Sequence, residues 1–81
     1  MKHQFTVKFI RSYHIFSKLV QSKFDKQLNY LLRDIRHPSL RAKKYDEAHG
    51  IWQARVDNGV RFYFLINSDT YILLNIEKHP K

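Results

Sequence analysis

The sequence predicts a small α+β domain in which an antiparallel sheet carries a two-helix hairpin on one face. Three observations support this fold class. An alternating segment opens the chain, apolar residues then recur at helical spacing, and three short apolar runs follow, separated by turn signals. Helices and strands that are segregated along a chain are typical of α+β domains, because two short helices can cover only one face of a sheet.

Residues 4–10, QFTVKFI, are the first predicted strand. Phe5, Val7 and Phe9 alternate with polar residues, which indicates an extended segment with one buried face. Ser12 is the predicted cap of a short first helix, and the apolar residues of that helix are Ile15, Phe16, Leu19 and Val20.

A longer second helix follows after a gap of a residue or two, so the two helices should form an antiparallel hairpin. Ser22 and Asp25 form an S-x-x-D capping signal at its predicted start. His37-Pro38 ends it, because the residue before a proline avoids the helical region. The apolar residues at helical spacing are Phe24, Leu28, Leu31, Leu32 and Ile35.

Residues 37–50, HPSLRAKKYDEAHG, have no clear period and are predicted to be a long loop that Leu40 anchors to the core. Long loops in small domains are often functional. Three strands are predicted next, over residues 51–57, 60–67 and 71–78. Asn58-Gly59 suits the two-residue turn between the first two of them, because both turn residues must take positive φ.

The turn at Asn58-Gly59 predicts the register of the hairpin. Adjacent partners are Asp57 with Val60, then Val56 with Arg61, then Arg55 with Phe62. Side chains alternate between the faces of a sheet, so this register defines two sets. The open face is predicted to hold Trp52, Ala54, Val56, Arg61, Tyr63 and Leu65. The helix-covered face is predicted to hold Phe62, Phe64 and Ile66, with Ile51 and Arg55.

Length and composition limit the functions that need to be considered. The chain has 81 residues, enough for a single domain over residues 1–81. Its net charge of +8 predicts a polyanionic partner, such as nucleic acid, a ribosome or an acidic protein. The chain has no cysteine, no secretory signal and no apolar run long enough for a bilayer, so we expect a soluble, cytoplasmic protein. The five histidines lack metal-ligand spacing, so no metal or cofactor is expected.

The segment HPSLRAKKYDEAHGIWQARVDNGVRFYF, followed by LLNIEKH, resembles the RelE/ParE superfamily of bacterial toxins from toxin–antitoxin modules. The matching features are HPSL with basic residues after the second helix, W-x-A-R-V and G-x-R across the hairpin, and I-x-x-H closing the last strand. The predicted order β-α-α-β-β-β also agrees with the RelE-like fold, so the resemblance covers nearly the whole chain.

The resemblance implies a function and a set of partners. Family members of the RelE kind are mRNA interferases, endoribonucleases that cut messenger RNA in the ribosomal A site and so inhibit translation. Those of the ParE kind poison DNA gyrase instead. Both kinds are neutralised by an antitoxin that packs on the toxin. The implied partners are therefore the 70S ribosome with its mRNA and a cognate antitoxin, in a toxin–antitoxin hetero-oligomer and without a membrane.

The resemblance also assigns candidate site residues. Arg61 matches the arginine of G-x-R, and a guanidinium can hold a phosphate through two hydrogen bonds. His79 matches a histidine that some ribosome-dependent members carry at this position, and an imidazole suits proton transfer near neutral pH. Arg61 and His79 are the predicted catalytic residues. The predicted RNA-binding residues are Lys43, Lys44, Arg55, Lys78 and Trp52.

The sequence departs from the RelE pattern in two places. RelE has two lysines on its second strand where this chain has Trp52 and Ala54, and a C-terminal tail with a tyrosine is missing. Either His79 performs the proton transfer, helped by a loop residue such as His49 or Glu47, or the activity is weak or absent. We therefore expect an mRNA interferase, and the sequence leaves two alternatives open, namely a ParE-like gyrase inhibitor and a degenerate member that only binds an antitoxin.

Overall fold

The computed structural model describes residues 1–79 and shows two α-helices packed on a five-stranded sheet. In chain order the elements are β1 (Lys2–Phe5), α1 (Val7–Ile15), α2 (Lys18–Arg33), a 3-10 helix (Pro38–Leu40), β2 (Lys43–Asp46), β3 (Ile51–Asp57), β4 (Val60–Asn67) and β5 (Thr70–Lys78). The strand order across the sheet is β1-β5-β4-β3-β2; β1 pairs with β5 in parallel, and the other neighbours are antiparallel. The predicted α+β class is confirmed.

The first strand is shorter than predicted, because the chain turns into α1 after Phe5. Thr6, and not Ser12, caps this helix, and its Oγ1 accepts a hydrogen bond of 3.0 Å from the backbone N–H of Phe9. The same hydroxyl donates to the carbonyl oxygen of Leu74 on β5, which fixes the start of the helix against the sheet. Phe9 then lies in the core from a helical position. The alternation over residues 4–10 therefore predicted a strand correctly only as far as Phe5, because residues 7–10 belong to α1.

The second helix begins earlier than predicted. Ser17 is its N-cap and accepts a hydrogen bond from the N–H of Val20, whereas Ser22 lies within the helix. The gap between the helices is two residues, as the prediction of a tight hairpin requires. The side chain of Gln21 donates to the carbonyl oxygens of Tyr13 and Phe16, and so joins the two helices at the turn.

The segment predicted to be a loop contains the 3-10 helix and β2. Leu40 is fully buried, as predicted, and holds this segment against the core. Arg41 follows with a φ of 45°, a left-handed conformation that is uncommon for a residue with a side chain. It ends the 3-10 helix and turns the chain into β2, which pairs with the first half of β3.

The hydrophobic core lies between the helices and one face of the sheet. Phe24 of α2 contacts Phe62 of β4 edge to face, with ring centroids 5.1 Å apart. The side chains with less than 2% exposure are Phe9, Phe24, Leu31, Leu40, Phe62, Phe64, Leu73 and Ile76. The prediction that the helices cover the face through Phe62 and Phe64 is therefore confirmed, whereas Ile66, which was predicted to share this core face, is 42% exposed.

A β-bulge between Arg55 and Asp57 changes the predicted register. Asp57 pairs with Val60 as expected, although neither Asn58 nor Gly59 has the positive φ that was predicted for this turn. Beyond this pair, Arg55 pairs with Arg61 and Ala54 with Phe62. The extra residue, Val56, is buried. A shift of one residue moves every side chain of a strand to the other face. The predicted faces of β3 were therefore wrong, because Arg55 lies on the open face with Arg61, and Ala54 and Trp52 lie on the core side.

Candidate active site

A basic groove of about 280 Å³ lies on the face of the sheet that the helices leave open. It is lined by Arg41, Lys43, Gln53, Arg55, Arg61 and His79. The strand pairing explains why these residues meet. Lys43 of β2 lies opposite Gln53 of β3, and Arg55 lies opposite Arg61 of β4, so four of the six come from directly paired positions on three neighbouring strands.

Arg61 forms the inner wall of the basic groove and is only 6% exposed. Its Nη1 donates to three carbonyl oxygens of the hairpin, at 2.6 Å to Asp57, 3.1 Å to Asn58 and 3.2 Å to Val60. The Asn58-Gly59 turn therefore holds the guanidinium in one orientation. The Nε–Nη2 edge of the fork takes no part in these bonds, and such an edge is suited to binding a phosphate through two hydrogen bonds.

Arg55 brings a second guanidinium beside the first. Partial burial, together with the charges of Arg41 and Arg61, lowers the pKa of Arg55 from its ordinary value. Within residues 1–79, no salt bridge joins Arg41, Arg55 or Arg61 to a carboxylate. Three like charges therefore lie close together without a salt bridge to a carboxylate, and a bound anion would relieve their repulsion.

The floor of the groove is polar and well ordered. Gln53 is 7% exposed, and its Nε2 donates a hydrogen bond of 3.2 Å to the hydroxyl of Tyr63. Tyr45 lies against Tyr63 with ring centroids 5.0 Å apart. Burial raises the pKa of Tyr63, and the nearby carboxylate of Glu77 raises it further. The phenol is therefore a neutral hydrogen-bonding group at physiological pH and not an anion that would compete for the arginines.

His79 reaches the groove because its backbone is fixed to the hairpin turn. Its N–H donates to the carbonyl oxygen of Gly59 at 2.8 Å, one residue beyond the end of β5. The side chain is exposed to solvent and lines the same groove as Arg61. The structure thus brings together the two residues that the sequence predicted to be catalytic.

The remaining predicted site residues divide between the two faces. Lys43 and Arg55 line the groove. Trp52 instead stacks on Phe64 of the core at 6.2 Å, and the ammonium of Lys44 lies 5.3 Å from the centre of its ring. Lys78 lies opposite the buried Val60, on the helix side of the sheet. Because of the bulge in β3 and the alternation along β2 and β5, the structure does not bring Trp52, Lys44 and Lys78 to the groove.

The loop residues that were considered as helpers lie outside the groove. His49 Nδ1 donates to the carboxylate of Asp46 at 2.9 Å in the exposed turn before β3, and this hydrogen bond lowers the pKa of Asp46. Glu47 belongs to the same turn. Neither His49 nor Glu47 lines the groove.

Sequence reasoning missed three residues of this face. Arg41 belongs to the basic segment that was predicted to be a loop, so the sequence did not predict which face of the sheet it would join. Its left-handed backbone, at the end of the 3-10 helix, directs the chain into β2. Gln53 was not assigned to either face, and it lies on the open face opposite Lys43 and Tyr63. Glu77 lies directly opposite Arg61 on β5, and the alternation along β5 carried a usable signal for it.

Among residues 1–79, no three histidine, aspartate or glutamate side chains are arranged so that they could hold a metal ion. None of the helices in this part of the chain is long and apolar enough to cross a membrane.

Comparison with solved structures identifies the fold. The chain is similar to a YoeB/ParE toxin from Agrobacterium tumefaciens, with a TM-score of 0.82 and 14% identity over 99% of this chain and all of that one. It is similar to YoeB in the dimer from Staphylococcus aureus, with a TM-score of 0.83 and 14% identity over 99% and 98% of the two chains. A chain of the intact RelBE toxin–antitoxin complex from E. coli matches with a TM-score of 0.75 and 11% identity, over 99% and 98%.

These matches show that the chain has the fold of the RelE, YoeB and ParE-like toxins, as its sequence motifs predicted. No protein-family model matches the sequence, and no curated protein matches it significantly. The likeness therefore rests on three-dimensional structure, and what the protein does must be argued from its own groove.

Proposed function

We propose that this protein is the toxin of a bacterial toxin–antitoxin system and that it cleaves messenger RNA on the 70S ribosome. The observation that carries the proposal is the basic groove, in which the guanidinium of Arg61 is fixed beside Arg41, Arg55 and Lys43, with the imidazole of His79 at the same site. A fold shared with RelE and YoeB supports the same conclusion. Translation would stop because the message is cut.

The proposed reaction is a transesterification within the RNA strand. The 2′-hydroxyl loses its proton and attacks the adjacent phosphorus, the bond from phosphorus to the 5′-oxygen breaks, and the leaving oxygen gains a proton. The products are a 2′,3′-cyclic phosphate and a 5′-hydroxyl. Arg61 and Arg55 would stabilise the negative charge that develops on the phosphoryl oxygens, a kind of contribution that is often the largest in an enzyme.

His79 is the proposed group for proton transfer. It is the one imidazole among the residues that line the groove. General acid–base catalysis by a positioned side chain typically contributes about 10²–10⁴-fold. The chemistry needs neither a metal nor a cofactor, since the arginines supply the positive charge and the imidazole the proton.

The ribosome enters the proposal as the part that orients the RNA. His79 is exposed to solvent at the groove, so the protein alone does not close around its substrate. Holding the 2′-oxygen in line with the leaving group is a large part of such catalysis, because it replaces the entropy that a free strand must lose. We therefore expect little cleavage of free RNA.

The experiment that tests the proposal adds the purified protein to translating ribosomes and maps the mRNA ends. New ends inside the reading frame, with a 5′-hydroxyl on the downstream fragment, support the mRNA interferase. A supercoiling assay with DNA gyrase is run in parallel. Intact mRNA together with inhibited gyrase would assign the protein to the alternative, a ParE-like gyrase inhibitor.

The geometry of Arg61 also favours a second candidate, a catalytically degenerate toxin that only binds an antitoxin. Three of the hydrogen bonds of its guanidinium stabilise the hairpin turn, which is a structural role. If wild-type protein and an Arg61→Ala variant affect neither mRNA nor gyrase, while both bind the same antitoxin, this second candidate is correct.

A cognate antitoxin is part of either version of the proposal. Solved structures with this fold include the YoeB–YefM complex from Staphylococcus aureus and the RelB–RelE complex from Methanococcus jannaschii. An antitoxin that covers the open face would place acidic groups beside its arginines and exclude RNA. We therefore expect a toxin–antitoxin hetero-oligomer in the cytoplasm, where the ribosomes are.

A further inference from the structure

A second basic cleft, the helix-side cleft, lies between α2 and the free edge of β3 and has a volume of about 410 Å³. Its cationic lining residues are Lys23, Lys26, Arg41 and Arg55. The cleft exists because β2 pairs only with residues 51–53 of β3. Within residues 1–79, no strand pairs with this edge of β3 beyond Gln53, and α2 packs against β3 instead.

The floor of the helix-side cleft is a buried, fully bonded amide. Gln27 is 7% exposed, and its Nε2 donates to the carbonyl oxygens of Arg55, at 2.9 Å, and Ser39, at 3.1 Å. Its Oε1 accepts a hydrogen bond of 3.1 Å from the hydroxyl of Ser39. Gln27 therefore satisfies the free edge of β3, and the edge is held at a fixed distance from α2.

The charge in the helix-side cleft is strongly unbalanced. The one carboxylate in its lining, that of Asp57, lies 3.4 Å from the ammonium of Lys23. Lys26, Arg41 and Arg55 form no salt bridge within residues 1–79. Lys26 is on the exposed side of α2, where its ammonium lies 5.9 Å from the centre of the Tyr30 ring.

Arg41 and Arg55 line both this cleft and the basic groove. The two sites are therefore neighbours, separated by two side chains at the edge of β3. We propose that the helix-side cleft binds the phosphate next to the one held in the groove, so that a single RNA strand passes over the edge of β3 from Arg61 to Lys26. This inference rests on the proposed RNA substrate and names its second point of contact.

A polynucleotide fits this pair of sites better than an acidic peptide does. An RNA strand carries one negatively charged phosphate per nucleotide, so two adjacent cationic clefts can each bind one phosphate. The guanidinium of arginine also matches the geometry of the phosphate oxygens. A protein segment would also need apolar surface to bury. Within residues 1–79, none of the exposed large apolar side chains lines either cleft, although Tyr45 packs on Tyr63 beside the groove, and Phe5 and Ile10 belong to a separate pocket beside α1.

The test measures binding of 2′-O-methyl RNA, which lacks the attacking hydroxyl, to the protein without ribosomes and at low salt. A dinucleotide has one phosphodiester and fills one site, whereas a hexanucleotide can fill both. The variant is Lys26→Gln, which removes a charge found only in the helix-side cleft. The control is Lys18→Gln, which removes an exposed charge from the start of the same helix.

We expect Lys26→Gln to weaken binding of the hexanucleotide several-fold, and to lower the slope of log K against log salt by about 0.7, the value for one phosphate contact in a single strand. Binding of the dinucleotide should not change. An equal loss with Lys18→Gln, an equal loss for the dinucleotide, or no RNA binding by the wild-type protein would each overturn the proposal.

A polyglutamate peptide separates the two classes of polyanion. If its binding depends on Lys26 as strongly as RNA binding does, the cleft recognises carboxylates and the proposal is wrong. The outcome is independent of the proposed enzyme activity, because no step of the assay requires cleavage. If Lys26→Gln weakens binding of the hexanucleotide but not of the dinucleotide, and the wild-type protein cleaves no mRNA on ribosomes, the proposed RNA-binding cleft is correct and the proposed mRNA interferase activity is wrong.

Discussion

The two faces of the sheet are built from the same strands, but one buries apolar side chains and the other buries polar side chains. On the helix-covered face, Phe62, Phe64 and Ile76 are buried by apolar neighbours. On the open face, Arg61 and Tyr63 alternate with those residues and are also nearly buried, with 6% and 9% exposure, although no helix covers them. The open face is therefore an ordered layer of polar side chains that bury one another.

Hydrogen bonding explains how the polar layer tolerates burial. Arg61 is bonded to turn carbonyls and Gln53 to the hydroxyl of Tyr63. Within residues 1–79, no buried side-chain nitrogen or oxygen lacks a partner. A buried polar group costs little when it is bonded, and its fixed position is an advantage in a site that must stabilise charge. The core should therefore determine the stability of the protein, and the polar layer its activity.

The largest effect is expected from Phe62→Ala on the core side. Phe62 is fully buried and contacts Phe24 and Phe64. Truncating a buried phenylalanine typically lowers the free energy of unfolding by about 3–5 kcal/mol, because it leaves a cavity. Urea denaturation measures the change. Ile66→Ala, at a position on the same strand that is 42% exposed, is the control and should cost far less. Equal losses would mean that the helices do not form the core with this face.

The second-largest effect is expected for Arg61→Lys, and it is a loss of mRNA cleavage and not of stability. Arg61→Lys keeps the positive charge but loses the fork, so mRNA cleavage on ribosomes should fall by about 10²–10³-fold, as when a fixed donor to the transition state is removed. Primer extension on the message measures it. Urea denaturation of the same variant checks that the hairpin still folds. Full cleavage by a folded Arg61→Lys variant would contradict the assigned role.

The sequence was sufficient for the fold class but not for β2, the helix starts or the site. Apolar spacing, the Asn58-Gly59 turn and the order of motifs predicted the helix hairpin, the meander and the covered face. The single extra residue at Val56 then reversed the faces of β3, and nothing in its local sequence distinguishes a bulge from a regular strand. Arg55 was misplaced for this reason, whereas Arg61, on the strand after the bulge, was placed correctly.

The helix starts show the same limit on a smaller scale. Both Ser17 and Ser22 can cap a helix, and the S-x-x-D pattern favoured Ser22, but the structure uses Ser17. Ser17→Ala should lower the free energy of unfolding by about 0.5–2 kcal/mol, as for other N-caps. Ser22→Ala, inside the helix, should leave it unchanged or raise it slightly, since alanine is the better helix former. Thermal or urea unfolding of the pair decides which serine is the cap.

The smallest expected effect is a pH dependence at the turn before β3. The hydrogen bond from His49 lowers the pKa of Asp46 below its ordinary value of 3.8. A carboxylate with a depressed folded pKa stabilises the protein above its unfolded pKa and loses that contribution as the pH falls through the folded value. Asp46→Asn should therefore be slightly less stable than wild type at neutral pH, and the difference should shrink below a pH of about 4. A difference that grows on acidification would contradict this assignment.

The most direct test of the central claim is an NMR titration with a non-cleavable RNA strand, because it compares the two faces in one experiment. The structure predicts that backbone and side-chain signals of Gln53, Arg55, Arg61 and His79 shift together, with one apparent Kd. Signals of the apolar pocket at Phe5 and Ile10, beside α1, should stay unchanged. Shifts confined to that pocket, with the arginines of the open face unaffected, would contradict the account.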